Sequence, residues 1–217
     1  MRDKELFENL EYGKKIERWF SAEILGSKKK VYFFDNIKKY INDKDIEDVI
    51  VWIYGKLRNE NAIVLLKEKL YHTNDTYLIH RLVEALIEIG RPSIPALIEI
   101  LSESKNSEVR WRVAKALGEL KAIESFDVLW KYVSDKNKFV RWRCICSIKD
   151  FGKKIVPKLV KKLNDKNPYL KWRALWALYQ INDKRSMKAI KKVIENDHSD
   201  FVKWQAKRSL NKIILGI

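Results

Sequence analysis

The sequence predicts an all-α protein, a solenoid of about six two-helix repeats closed by a terminal capping helix, and three observations carry that expectation. One phrase recurs, as Val109-Arg110-Trp111-Arg112, Val140-Arg141-Trp142-Arg143, Leu170-Lys171-Trp172-Arg173 and Val202-Lys203-Trp204-Gln205. Its tryptophans return at a nearly fixed interval, and a period of that size marks stacked supersecondary units. Inside the fullest copy Val109, Val113, Ala116, Leu117 and Leu120 fall at helical spacing and make one apolar stripe. Seven glycines and four prolines are too few for the turns of an all-β fold, while 46% hydrophobic residues can line a continuous seam.

Upstream the phrase blurs but persists. Tyr77-Leu78-Ile79-His80-Arg81 has His80 in the tryptophan's place and Arg81 matching Arg112, and Arg18-Trp19 restores the Trp before an Ala and a Leu-Gly ending. The run Val-Arg-Trp-Arg-x-Ala-x-x-Leu is followed by a second apolar segment, such as Ser125-Phe126-Asp127-Val128-Leu129 or Ile94-Pro95-Ala96-Leu97-Ile98. Together they resemble the HEAT-like repeats of the phycobilin-lyase type, over roughly residues 15–217. That resemblance implies a right-handed α-α solenoid whose second helices line a concave surface, with a ladder of acids and bases between repeats.

Taken in order, residues 1–14 read as a short helix covering the open end of the first repeat, as terminal repeats require. The helix pairs follow at about 15–41, 45–72, 75–102, 107–133, 138–163 and 168–195, and a last helix at 199–215 caps the array. Residues 1–217 thus read as one repeat domain. Ser27-Lys28-Lys29-Lys30 reads as a solvated turn. Pro92 and Pro95 fall at a helix start, where a missing amide proton costs little. Ser107 reads as the N-cap of the fourth repeat.

No apolar run is long enough to span a bilayer and no charged-then-apolar leader occurs, so a cytoplasmic protein with no membrane association is expected. Cys144 and Cys146 lie two apart on one helix, which suits neither a disulfide nor a metal pair, and reads as a core residue beside a surface neighbour. None of His72, His80 and His198 is followed by Glu, so metal chemistry is not expected. No cofactor is expected either, and the chain reads as a monomer.

The net charge of +16 is concentrated. Residues 1–135 balance at 23 Lys and Arg against 23 Asp and Glu, whereas residues 136–192 hold 18 against three. Lys154, Lys158, Lys161 and Lys162 on the second helix of the fifth repeat return one repeat later as Lys184, Lys188, Lys191 and Lys192 at the start and along that of the sixth. Their spacing puts them opposite the apolar positions of those helices. With the concave surface that the resemblance implies, this reads as a basic patch for an acidic partner, either an acidic protein surface or a nucleic acid backbone.

Trp111 stands about 200° round the helix from Val109, away from the apolar stripe. Two roles are open to its column: packing between adjacent first helices, or, at Trp142 and Trp172, a stacking platform for bases. Asp135, Asp165 and Asp197 each precede a basic residue of the phrase by six positions and can cap a helix or pair with a base. Arg110, Arg141, Lys171 and Lys203 therefore read as mainly structural. No catalytic triad, phosphate loop or distinctive carboxylate pair is visible, and Asp150 and Asp183 read as helix ends. A non-catalytic binding or scaffold protein is expected; the alternative is an enzyme on the same repeat, such as an alkylpurine DNA glycosylase or a bilin-lyase-type protein.

Overall fold

The computed structural model describes residues 2–28 and 33–216, and in these the chain forms fourteen α-helices and no strand. In order they are α1 (Asp3–Tyr12), α2 (Lys15–Ser27), α3 (Phe33–Ile37), α4 (Glu47–Leu57), α5 (Ala62–His72), α6 (Thr76–Ile89) and α7 (Ile94–Glu103). There follow α8 (Ser107–Glu119), α9 (Phe126–Tyr132), α10 (Lys138–Asp150), α11 (Val156–Lys162), α12 (Pro168–Ile181), α13 (Met187–Asn196) and α14 (Asp200–Leu215). The chain divides into two compact units, residues 1–120 and 121–217. The division falls between α8 and α9, which the sequence reading pairs in one repeat.

The first helices α6, α8, α10, α12 and α14 begin at the same device. Thr73, Ser104, Asp135, Asp165 and Asp197 each accept the backbone N–H two residues on, at 3.1, 3.3, 2.7, 2.9 and 2.9 Å. That residue is the N-cap, and Asp75, Asn106, Asn137 and Asn167 accept an N–H from the first turn that follows. The cap of α8 is therefore Asn106 and not Ser107, because the amide oxygen of Asn106 already takes the Glu108 N–H at 2.9 Å. The acid column thus works mainly through the turn ahead of it.

The first helices α4, α6, α8, α10 and α12 also end alike, at or just before a residue with positive φ: Arg58 (50°), Gly90 (92°), Lys121 (51°), Gly152 (66°) and Asn182 (53°). Those positions recur once per repeat from the second to the sixth, while α2 of the first ends on Lys28 at φ −73°. Glycine suits such a corner because it has no Cβ, and asparagine tolerates it. At the last four of these corners a short 3-10 turn leads into the second helix, with Pro92 in one such turn and Pro95 at the second residue of α7. Fully buried hydroxyls of Ser93, Ser125 and Ser186 donate to corner carbonyls at 2.7, 2.6 and 2.8 Å.

Packing in the first unit runs along the first helices. Helix α4 lies on α2 and α6, α6 lies on α8, and α5 and α7 pack on the first helix of the repeat after their own, α6 and α8. Gly26 and Gly55 permit the close approach, since a Cβ on Gly26 would sit 2.7 Å from the Trp52 ring and one on Gly55 3.0 Å from the Ala85 Cα. Helix α1 buries Leu6 and Leu10 completely and sets Phe7 edge-on to Phe33, 5.3 Å between centroids. Lys28 is not solvated as the sequence reading had it; it pairs with Asp3 at 2.7 Å. Lys29 and Lys30 lie outside the described residues.

The second unit repeats the arrangement. Helix α12 packs between α10 and α14, while α9, α11 and α13 pack on α10, α12 and α14 respectively. Two layers result, first helices in one and second helices in the other. Helix α14 has no second helix of its own; it covers α12 and α13, which is what a capping helix must do.

Replacing Gly90 with Ala tests the corner. Gly90 combines φ 92° with ψ −144°, and nothing lies within 4 Å of an added Cβ, so the cost is backbone strain alone. Urea unfolding should show Gly90→Ala destabilised by about 1–3 kcal/mol, whereas Lys121→Gly should be neutral or stabilised by up to about 1 kcal/mol.

Candidate functional site

The eight candidate lysines lie on the second-helix layer of the second unit. Lys154 belongs to the 3-10 turn Gly152–Ile155 rather than to α11, because the helix begins only at Val156 beside Pro157; Lys158, Lys161 and Lys162 are on α11. Lys184 opens the 3-10 turn Lys184–Ser186, and Lys188, Lys191 and Lys192 follow on α13. Val156 and Leu159 of α11 and Ile190 and Val193 of α13 are buried. All eight lysines except the half-buried Lys162 are exposed.

Two of the eight have local partners. Lys158 stands 3.4 Å from the Asp127 carboxylate and 5.0 Å above the Phe126 ring. Lys162 lies over Phe126 and Trp130, 5.8 and 5.4 Å from their centroids. The other six form no ion pair with any described residue. Lys188, Lys191 and Lys192 border an open hollow of about 690 Å³ with Met187, Glu195 and Asn196. Lys192 and Asn196 also border a smaller one of about 270 Å³ reaching Val160 and Leu163.

The register of these lysines shows what is unusual. In the first unit the equivalent positions carry opposite signs: Lys67 pairs with Glu99, its counterpart in the next repeat, at 2.8 Å. Continued one repeat at a time, the same register meets Trp130, Lys161 and Lys191. Where earlier repeats neutralise each other, the fifth and sixth place like charge beside like charge.

The tryptophan column lies in the other layer. Trp142 is 4.9 Å from Trp176, so α10 and α12 touch through their rings, and Trp172 stacks on Phe201 of α14 at 5.6 Å and 10°. Inter-repeat packing thus accounts for part of the column, yet Trp142 and Trp204 are still half exposed. Trp111 takes a different course: its Nε1 donates to Glu108 at 2.7 Å, and the Arg112 guanidinium covers its ring. Trp142 and Trp172 are on the first helices α10 and α12, not on the lysine helices α11 and α13.

Bases of the phrase serve the scaffold. Arg110 and Arg141 donate to carbonyls of the preceding turn, Arg110 to those of Ser104 and Lys105, Arg141 to those of Asp135 and Lys136. Lys171 pairs with Asp197 of the following turn, and both are largely buried. Burial works to raise the Asp197 carboxyl, but Lys171 and the Ser199 N–H outweigh it and hold it below its ordinary range. Asp150 ends α10 beside Lys149 at 2.6 Å, and Asp183 is clasped by Arg185 at 2.7 Å. Cys144 is buried and Cys146 half-buried, its thiol pushed up by burial. The described residues contain no cluster of three or more His, Cys, Asp or Glu placed to hold a metal, and no helix long and apolar enough to cross a membrane.

Paired helices, a fixed corner and a seam shared between neighbours define an α-α repeat protein. The family model of HEAT repeats matches residues 63–149 and again residues 128–211, and the chain belongs to that family. Among solved structures it is similar to the complex of CpcE and CpcF of phycocyanin lyase from Nostoc sp. PCC7120, with 17% identity and a TM-score of 0.53 over 98% of this chain and 95% of that one. Human deoxyhypusine hydroxylase is similar at 14% identity and a TM-score of 0.47, over 98% of this chain and 84% of that one. An archaeal HEAT-like repeats protein from Thermococcus onnurineus NA1 aligns at 11% and 0.49, over 99% and 98%. At 17% identity the likeness to the first of these is one of fold alone. No curated protein matches the sequence.

The Asp183 clasp sets a pH expectation. Hydrogen bonds from Arg185 hold the Asp183 carboxyl down to about 2, against an ordinary value of 3.8. A carboxyl depressed in the folded state contributes stability above its unfolded value and loses it as pH falls through the folded one. Stability should therefore drop between about pH 4 and pH 2, and Asp183→Asn should flatten that limb when melting is followed by circular dichroism.

Proposed function

We propose that the chain is a non-catalytic scaffold, read over residues 1–217 as one repeat domain, whose second-helix lysines of the fifth and sixth repeats hold an acidic partner by charge. The observation that carries this is the register in which Lys67 meets Glu99 upstream but Lys161 is succeeded by Lys191. Placing like charges on adjacent repeats costs self-repulsion and gains no contact within the chain, so it is sustained by a partner that neutralises them. Repeat arrays present such extended surfaces by default. Family resemblance would set these helices on the concave side.

A polyanion fits better than a small acid, because the lysines extend across two repeats and border open hollows rather than a closed pocket. Nucleic acid backbone is the version we favour over an acidic protein surface. Lysine is a mobile point charge on a flexible stem, suited to phosphates and not to reading base edges. The protein would act as a monomer in the cytoplasm with no cofactor. Catalysis finds no support in the acids of this region, since Asp150 and Asp183 are both engaged in local ion pairs.

Binding to duplex DNA should weaken steeply between about 50 and 200 mM salt, as it does for contacts made through phosphates. Replacing Lys161, Lys188, Lys191 and Lys192 together with Gln should lower affinity and reduce the slope of log K against log salt by up to about 3–4. Circular dichroism should show the fold intact. Unchanged binding by the variant, or no polyanion bound at low salt, rules the proposal out.

A further inference from the structure

The opposite layer of the second unit carries a second surface built on different chemistry. In the fourth repeat Glu108 accepts from both Trp111 Nε1 and Arg112 Nε, at 2.7 and 2.6 Å. Followed one repeat at a time, that position becomes Phe139, Tyr169 and Phe201. These rings are not buried in compensation: they remain 63%, 69% and 48% exposed. Losing the acid also has a local cost, since Trp172 Nε1 is buried without an acceptor. Three successive first helices thus leave a large ring in solvent at one register, and α12 also leaves a buried indole N–H unpaired; such breaches collect at functional sites.

Three positions on from each ring comes the tryptophan of the same helix, so α10, α12 and α14 each present an i, i+3 pair: 139 and 142, 169 and 172, 201 and 204. The pairs of α12 and α14 join across the helices, while Trp142 of α10 meets Trp176 of α12. Tyr169 is 6.1 Å from Phe201, and Trp172 and Phe201 form a parallel stack whose outer member is half exposed. Cations flank them. Lys138 sits 5.2 Å over Phe139, and Arg208 lies over both Tyr179 and Trp204, at 4.8 and 5.7 Å. Arg208, Lys207 and Lys212 also line a hollow of about 400 Å³ between Tyr179 and Trp204. Acids are scarce: α12 has none, α10 only Asp150 and α14 only Asp200.

We propose that this outer face of α10, α12 and α14 is a stacking platform for single-stranded nucleic acid, with bases on the ring pairs and phosphates on Lys138, Lys207, Arg208 and Lys212. Half-exposed rings offer faces to any base, and flanking cations take the backbone. One register position per helical repeat is also the arrangement by which repeat proteins place one base per repeat. A duplex keeps its bases inside the stack, so the platform discriminates against it. The site does not rest on the lysines of α11 and α13, which occupy the other layer.

The unmodified protein tests this directly at about 300 mM salt, where charge alone is largely screened. A fluorescein-labelled thymidine oligonucleotide should bind at least about tenfold more tightly than an abasic strand of equal length, and only the strand with bases should quench tryptophan emission. Phe139→Ala with Tyr169→Ala should abolish the difference, while Phe139→Tyr with Tyr169→Phe keeps it. In the lysine variant described above the base dependence should survive, which separates failure of the one surface from failure of the other. Equal affinity for the abasic strand overturns the platform. So does binding to phosphatidylglycerol vesicles, or self-association in sedimentation, that the Ala pair removes without affecting the oligonucleotide.

Discussion

The positive-φ corner that ends the first helices from α4 to α12 is the constraint on which the rest of the structure depends. Arg58, Gly90, Lys121, Gly152 and Asn182 all take a positive φ, so the helix is cut off at the same register five times, although Gly90 differs in ψ, −144° against 34° at Arg58 and 59° at Asn182. Each second helix is thereby delivered to the first helix of the repeat that follows, as α11 is to α12 and α13 to α14. The apolar stripe is then consumed by a seam between neighbours, and no repeat can bury its own surface alone. Helix α14 follows from the same constraint, since α13 would otherwise have nothing to lie on.

Once the seam is fixed, outward positions are free to vary without touching the fold. One register illustrates how far they do: it runs Lys67, Glu99, Trp130, Lys161 and Lys191, an ion pair in the first unit and two exposed lysines in the second. Asp127, Lys158 and Lys188 form another, in which the acid still reaches the first lysine at 3.4 Å but nothing reaches the second. Exposed pairs of this kind contribute little to stability, about 0–1 kcal/mol. Their loss is therefore tolerated, and the resulting field is available for a partner.

Helices, period and cap were legible in the sequence because apolar stripes and the tryptophan phrase follow from packing that every repeat shares. The lysine face was legible for the same reason, its members alternating with Leu159, Ile190 and Val193 at helical spacing. The corners were not, although Gly90 and Gly152 stand two repeats apart and Asn182 one further on. Arg58 and Lys121 hide the register by taking a conformation that side chains like theirs avoid. Likewise Asp135, Asp165 and Asp197 could be seen as a column, but not their partner: a carboxylate that takes the N–H two positions ahead leaves no mark on spacing. Lys158 with Asp127 was hidden because sequence shows two charges one repeat apart without showing that their helices are neighbours.

The exposed rings and the excess of positive charge have a common origin in the sequence. Keeping the Glu108 type of residue on α10, α12 and α14 would give Trp142, Trp172 and Trp204 an acceptor and would set a carboxylate beside Arg143 and Arg173, as it does for Trp111 and Arg112. It would also add a carboxylate to each first helix and cover the ring edges. Replacing it with Phe139, Tyr169 and Phe201 removes negative charge and adds an aromatic face in one step, and two of those three changes fall within residues 136–192, where 18 bases meet only three acids. A surface selected for charge alone would more simply have taken lysine at these positions, as α11 and α13 did. That rings were taken instead, exposed and beside cations, is the ground on which the first-helix layer is proposed for flat anionic partners and the second-helix layer for charge.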